Sequence, residues 1–205
     1  MGNLIISALM QVLVFALIPV IVYLVAYRKT GSFFQWVGLK KANTKSILYS
    51  LLLMLFIATP ILMLASIDEG MKQVLFDEKS VSGNIKSLGF GWESVLTLLI
   101  TAVIKTGFSE ELFFRGFLAK RLISILGYQV GNWVQAIIFG AIHTLLFLNI
   151  TDSTLFLTII FFMPTIGAYL KTHINEKLAN GSILPSWIAH ASGNILAYSI
   201  IAFVL

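Results

Sequence analysis

Two carboxylates and a guanidinium interrupt an otherwise apolar stretch of the sequence, 108–116. Glu111 and Arg115 are four residues apart, so on a helix they share one face and can form an ion pair. Glu110 points about 100° away from Glu111 around the helix and has no such local partner. We therefore expect Glu111 and Arg115 to neutralise each other and Glu110 to remain free for acid–base chemistry. The alternative is a helix end whose charged side chains extend out to water.

Two other apolar stretches carry polar side chains at helical spacing. His143 follows Phe139 by four residues, and Asn194 follows His190 by four, so each pair lies on one side of its helix. Each pattern also has a structural explanation, because interior histidines and paired polar residues can join neighbouring helices through hydrogen bonds. Beside a free carboxylate, imidazole and amide groups can also bind water and stabilise an oxyanion.

The composition indicates that these stretches lie in a membrane. Of the 205 residues, 58% are apolar and the mean hydropathy is +0.93, whereas soluble domains are about 45–50% apolar. The net charge of +5 would favour nucleic acid only if the basic residues formed a patch on a soluble face. They lie between apolar stretches instead, so nucleic acid is not an expected partner. The absence of cysteine excludes disulfides, thiolate metal sites and a cysteine nucleophile.

Six apolar stretches have the length of about 20 residues that a membrane-spanning helix needs. They are 4–27, 46–67, 95–118, 131–149, 153–171 and 183–204. Since lipid offers the backbone no hydrogen bonds, these stretches predict an all-α, multi-pass membrane helix bundle. The first stretch is too long for a secretory signal and is expected to be retained. We divide the chain into 1–94, with two spans, and 95–205, with four.

The basic residues predict how the helices are oriented. The segment 28–45 carries five lysines and arginines, whereas 68–94 carries three lysines and five acidic residues. We therefore place 28–45 in the cytoplasm and 68–94 outside, which puts both termini on the external side of the cell membrane. Lys171 and Lys177 then count as cytoplasmic charges after the fifth span, and His173 as a solvated loop residue without function.

Depth along the helices indicates whether the polar groups can meet. Counted from the cytoplasmic side, Glu110 and His190 lie at a similar depth of about 10 Å, at 1.5 Å per residue. His143 lies about 18 Å deep, so it reaches them only if its helix is tilted or starts outside the membrane. We expect the three side chains to meet in an interior cavity in the cytoplasmic half. Lys105 lies deeper than Glu110 and is assigned no role.

Three patterns occur in order on successive apolar stretches: E-E-x-x-x-R from Glu110, F-x-x-x-H from Phe139 and H-x-x-x-N from His190. Together they resemble the CPBP family, which comprises the type II CAAX prenyl endopeptidases and the bacterial abortive infection or bacteriocin-processing proteases. The resemblance covers about residues 95–200. It implies an intramembrane endopeptidase whose CAAX-protease-like core is formed by the last four helices. Its expected substrate is a membrane-associated peptide or protein, prenylated or not, and membrane lipids are its surroundings.

The residue types suit a hydrolysis in which a glutamate activates water. Glu110 would take the proton from water, and His143 would orient that water. His190 and Asn194 would donate hydrogen bonds to the oxyanion of the tetrahedral intermediate. Six side chains are therefore candidate catalytic residues: Glu110, Glu111, Arg115, His143, His190 and Asn194.

The sequence leaves a metal requirement open. Glu110, His143 and His190 form a set of one carboxylate and two histidines, as in some catalytic zinc sites. A divalent metal such as zinc is therefore one alternative. The His-Glu-x-x-His helix of many zinc proteases does not occur, asparagine is an unusual zinc ligand, and the same residues can activate water without metal.

Two other functions fit part of the pattern. The first is a non-catalytic bacteriocin-immunity or scaffold protein that binds a peptide partner in the membrane. The second is an ion or proton transporter, since carboxylates and histidines inside membranes also build proton relays. A transporter predicts inverted repeats or paired broken helices, which the sequence does not show. The endopeptidase is therefore the leading hypothesis.

Overall fold

Helices make up most of the chain, and no strand occurs in its described residues. The computed structural model describes residues 2–28 and 31–205, so Met1, Lys29 and Thr30 lie outside it, including one basic residue used to predict orientation. The α-helices are α1 (Gly2–Val22), α2 (Phe33–Trp36), α3 (Thr44–Ile67), α4 (Glu69–Phe76), α5 (Val81–Ser87), α6 (Trp92–Leu99), α7 (Lys120–Leu126), α8 (Tyr128–Phe147), α9 (Thr154–His173) and α10 (Leu184–Phe203). Four π-helical segments extend or connect them: Tyr23–Tyr27, Ile100–Phe108, Glu111–Ala119 and Ile174–Leu178.

Six long helical runs overlap the six predicted spans, although the number of membrane crossings stays a prediction: α1, α3, the run 92–126, α8, α9 and α10. In the part of the chain that the structure describes, four helices are long and apolar enough to cross a membrane by length and composition. These are α1 and α9 with their π-helical extensions, α3 and α8. The prediction of an all-α membrane helix bundle is therefore confirmed, and the chain is an integral membrane protein.

The run 92–126, which we call the motif helix, contains two nine-residue π-helical segments, Ile100–Phe108 and Glu111–Ala119. Ser109 and Glu110 lie at the junction between them. π-helical turns are rare, and they occur frequently at functional sites. Glu110, the first of the two adjacent glutamates, therefore lies between two π-helical segments.

The segment 68–94 is folded rather than extended. Asp68 caps α4 by accepting a hydrogen bond from the backbone N–H of Met71, and Ser80 caps α5 in the same way through Gly83. The two short helices pack against each other and against α10. The segment therefore covers one end of the bundle.

Small residues let the long helices approach each other closely. A Cβ atom at Gly140 of α8 would collide with α9, and one at Gly193 of α10 would meet the side chain of Met54 from α3. A Cβ atom at Gly107 of the motif helix would lie 3.5 Å from the Cβ atom of Ala191. Helix α10 is therefore packed closely between α3 and the motif helix.

The end of the fifth span differs from the prediction. Helix α9 continues past 171 to His173 and then as the π-helical segment Ile174–Leu178. Lys171 is only 3% exposed, so it is an interior residue and not a cytoplasmic loop charge. His173 is exposed as predicted, but it lies in the helix, where its Nδ1 atom is 2.8 Å from the Tyr128 hydroxyl oxygen. A buried lysine is tolerated here because a carboxylate faces it, as the site shows.

Candidate active site

Glu111 lies at the centre of a buried polar cluster. Its Oε1 atom accepts hydrogen bonds from Nζ of Lys171 at 2.5 Å and from Nδ1 of His190 at 2.8 Å. Its Oε2 atom lies 3.3 Å from Nε of Arg115, so the ion pair predicted within the motif helix is present. All four residues are buried. Two cations beside one carboxylate offset the cost of removing its charge from water.

Glu110 points to a different side of the motif helix and has different surroundings. Its Oε2 atom is buried and has no hydrogen-bond partner among the described residues. This atom lies 3.9 Å from Nε2 of His190, which is too long for a direct hydrogen bond. A water molecule can bridge two polar atoms at such a distance. Glu110 is therefore the unpaired carboxylate of the two, as the sequence predicted.

The contact with Glu111 determines the tautomer of His190. An ionised carboxylate only accepts hydrogen bonds, so the proton of the neutral imidazole lies on Nδ1, and Nε2 carries the lone pair. Nε2, which carries the lone pair, is the atom of His190 that lies 3.9 Å from Oε2 of Glu110. Neutral His190 thus offers an acceptor at Nε2, and it donates from that atom only as the imidazolium. The expected role of His190 as a donor to the oxyanion therefore does not fit its neutral form, because its one ring proton is used in the contact with Glu111.

His143 has the same tautomer for a different reason. Its Nδ1 atom lies 2.8 Å from the carbonyl oxygen of Phe139, which can only accept, so Nε2 again carries the lone pair. The imidazole also packs against the Phe139 ring, with 4.3 Å between ring centroids. The guanidinium of Arg115 lies 4.0 Å from the centroid of the same ring, which is a cation–π geometry. Phe139 therefore connects the histidine to the buried ion pair.

Asn194 is oriented by a threonine of the motif helix. Its Nδ2 atom lies 2.9 Å from Oγ1 of Thr106, whose hydroxyl donates to the carbonyl oxygen of Thr101 at 2.9 Å. Because a hydroxyl has one proton and that proton is used, the Asn194 amide must donate to it. One amide N–H is left for a further acceptor.

These groups border one cavity of about 290 Å³. Its polar lining includes Thr106 and Glu110 of the motif helix, His143 of α8, Lys171 of α9, and His190 and Asn194 of α10, together with Ser80, Ser82 and Tyr198. Its apolar walls come from α3, α8, α9, α10 and the segment 68–94. Glu111 and Arg115 do not line the cavity and lie behind Glu110 and His190. The structure thus brings all six predicted residues together, four at the cavity and two in the layer behind it.

The arrangement of donors does not fit a bound metal ion. In the ranges that the structure describes, no group of three or more histidine, aspartate and glutamate side chains could hold one ion. Both oxygen atoms of Glu111 already face cations, and the amine of Lys171 adds positive charge at the cavity. We therefore derive no catalytic step through a metal.

Two residues that form hydrogen bonds with predicted site residues were missed by sequence reasoning, Lys171 and Thr106. Lys171 had a usable signal, because a lysine within an apolar span requires a carboxylate or water as partner. Counting it as a loop charge concealed that signal. Thr106 had none, since a threonine in an apolar helix commonly bonds to its own backbone. Its role depends on Asn194, which is 88 positions away.

Comparison with known proteins identifies one family. Residues 92–196, just over half of the chain, match the family model described as type II CAAX prenyl endopeptidase, Rce1-like. The match contains all six predicted site residues and both of the residues that were missed. No curated protein and no solved structure matches the chain.

Proposed function

Since the chain belongs to the Rce1-like family of type II CAAX prenyl endopeptidases, we propose that it hydrolyses a peptide bond with water activated by Glu110. Its substrate is a membrane-associated or lipidated peptide or protein. The observation that carries this proposal is the unpaired Oε2 atom of Glu110, which borders one cavity with His143, His190 and Asn194. A buried carboxylate without a partner is suited to accept a proton from water.

The first step is attack by water on the peptide carbonyl. Water between Glu110 and Nε2 of His190 donates one proton toward Glu110, and its second O–H is oriented by an imidazole lone pair. Both His190 and His143 provide such a lone pair at Nε2. As the water oxygen bonds to the carbonyl carbon, its proton moves to Glu110 and the carbonyl oxygen becomes an oxyanion.

The second step is the breakdown of the tetrahedral intermediate. The free N–H of Asn194 donates to the oxyanion, held in place by Thr106. Glu110 then returns its proton to the leaving nitrogen, and the C–N bond breaks as the carbonyl forms again. The products are a carboxylic acid and an amine, and Glu110 is regenerated as a carboxylate. Glu111 and Arg115 remain charged throughout, and Glu111 keeps His190 oriented.

The two halves of the chain have different parts in this proposal. The segment 95–205 supplies every reacting group, whereas 1–94 closes the cavity with apolar side chains of α3 and α4, among them Met54, Ile57 and Leu75. We place 28–45 in the cytoplasm and both termini outside the cell membrane. This arrangement follows from the basic residues of the loops.

The deciding experiment measures cleavage by the purified full chain in lipid vesicles. The probes are a quenched fluorescent peptide with a farnesylated cysteine near its C-terminus and the same peptide without the farnesyl group. Glu110→Gln keeps the size of the side chain but removes the base, so cleavage should slow by about 10²–10⁴-fold. Glu78→Gln, at an exposed position in 68–94, is the matched control and should be unaffected.

Two outcomes contradict the proposal. If Glu110→Gln cleaves a probe as fast as wild type, water activation by Glu110 is wrong. If neither probe is cleaved, peptides and membrane proteins of cells that express wild type or Glu110→Gln are compared. A cleavage product found only with wild type supports the proposal. Identical fragments in both contradict it and favour the non-catalytic scaffold.

A further inference from the structure

Lys171 is a buried cation on a helix that carries none of the three sequence patterns. Its side chain is 4% exposed, and its Nζ atom lies 2.5 Å from Oε1 of Glu111. It also lies 5.6 Å from the ring centroid of Phe139 and borders the cavity beside Glu110. The contact with Glu111 therefore brings the fifth long helix, α9, into the active site.

Lys171 and Arg115 face different oxygen atoms of Glu111. Arg115 lies beside Oε2, whereas Lys171 shares Oε1 with Nδ1 of His190. A change at Lys171 therefore acts on the oxygen atom that orients His190. The Arg115 pair on the other oxygen remains.

Lys171 also balances the charge of the cluster. Glu110 and Glu111 bring two negative charges, and Arg115 and Lys171 bring two positive ones, so the site is neutral when its histidines are neutral. Without Lys171, one buried negative charge is left uncompensated, which is costly. The most direct compensation is a proton on His190 or on a carboxylate. Either one disturbs the arrangement in which His190 accepts and Glu110 acts as base.

We propose that Lys171 is a positioning residue for peptide hydrolysis, which holds Oε1 of Glu111 and thereby sets the tautomer and orientation of His190. This inference rests on the proposed function. Lys171 contacts Glu111, and Glu111 in turn contacts His190, whose Nε2 atom orients the water beside Glu110. Lys171 itself does not touch the reacting atoms in this mechanism.

The kinetic test replaces the charge but keeps the length of the side chain. Lys171→Met should lower kcat by about 10–100-fold with little change in KM, because a small misplacement of reacting groups is costly. Lys171→Arg keeps the charge and should restore part of kcat. Lys177→Met is the matched control, since Lys177 lies six positions on and is exposed.

A double variant tests whether Lys171 acts through Glu111. If it does, adding Lys171→Met to Glu111→Gln should cause little further loss of kcat beyond Glu111→Gln alone. The carboxylate through which Lys171 acts on His190 is already absent in Glu111→Gln. Independent roles predict that the two losses multiply. The rates are compared at a temperature at which every variant is folded.

A second measurement requires no substrate. The chain has three histidines, so NMR of isotope-labelled histidine ring nitrogens can be assigned with single variants. Wild type should show a protonated Nδ1 and an unprotonated Nε2 at His190. Lys171→Met should change that signal, whereas Lys171→Arg and Lys177→Met should not. A wild-type His190 protonated only at Nε2 would overturn the inference even if no variant folds.

The outcomes separate this inference from the proposed function. If Glu110→Gln is inactive while Lys171→Met keeps wild-type kcat and the wild-type His190 signal, Lys171 has no positioning role and the endopeptidase proposal stands. If Glu110→Gln remains active, the proposed activation of water by Glu110 is wrong, whatever the role of Lys171. The NMR result then decides only whether Lys171 orients His190.

Discussion

The amide nitrogen of Asn194 lies 2.9 Å from the hydroxyl oxygen of Thr106, although the two residues are 88 positions apart. Thr106 gives its own proton to the carbonyl oxygen of Thr101, so it can only accept from Asn194. One hydroxyl on the motif helix thus determines which way an amide of α10 faces. The proposed oxyanion donor is held by a contact between two helices.

This contact predicts graded effects on catalysis. Asn194→Ala removes the donor and should lower kcat by about 10²–10³-fold with KM nearly unchanged, as for other oxyanion donors. Thr106→Val keeps the shape but frees the amide to rotate, so its loss should be smaller. Steady-state kinetics on a cleaved probe measures both. Thr59→Val on α3 is the control, because its hydroxyl bonds only to its own helix and is exposed. Equal rates for Asn194→Ala and wild type would exclude Asn194 as the oxyanion donor.

The buried ion pair predicts an effect on stability. Arg115→Met leaves Glu111 with one fewer cation and removes the guanidinium over the Phe139 ring. Breaking a buried pair on one side should lower the free energy of unfolding by about 3 kcal/mol.

The matched control for that prediction is Arg121→Met on the same helical run. Arg121 is only partly buried, and its guanidinium lies 4.0 Å from the ring centroid of Trp36. Loss of this contact should cost about 0.5–1 kcal/mol. Reversible unfolding in detergent measures both variants. If they are equally stable, the buried pair does not contribute beyond a surface contact.

The side chains around the cavity predict that cleavage resists metal chelators. No group of three or more histidine, aspartate and glutamate side chains could hold a metal ion in the described residues, and Lys171 brings a positive charge to the same cavity. We therefore expect cleavage to proceed at the same rate after incubation with a strong zinc chelator and its removal. Metal content of the purified protein is measured in parallel. Loss of activity that returns on addition of zinc would refute this expectation.

The predicted orientation can be tested cleanly because the chain has no cysteine. Single cysteines at Lys41 in 28–45 and at Lys79 in 68–94 can be labelled in intact cells with a reagent that does not cross membranes. Both positions are exposed. The Lys79→Cys protein should be labelled from outside, and the Lys41→Cys protein only after the membrane is opened. The opposite labelling pattern would show that the predicted orientation in the membrane is wrong.

The sequence alone was sufficient for the fold class and for the local part of the site. Hydropathy and helical spacing act within one segment, so they predicted an all-α membrane helix bundle and the pairing of Glu111 with Arg115. The same spacing separated Glu110 from that pair. These predictions succeed because an α-helix or a short π-helical turn keeps residues four apart on neighbouring sides of one element.

Only the tertiary structure decided which helices supply the partners of these groups. The contact of Lys171 with Glu111 joins residues 60 positions apart, and that of His190 with Glu111 joins residues 79 apart. Both depend on the rotation and depth of helices that are set by close packing at small residues such as Gly140 and Gly193. A spacing rule within one helix contains no information on that packing. The tautomer of His190 and the contact of Lys171 with Glu111 follow from the packing, because the position of a proton depends on the atom that faces it.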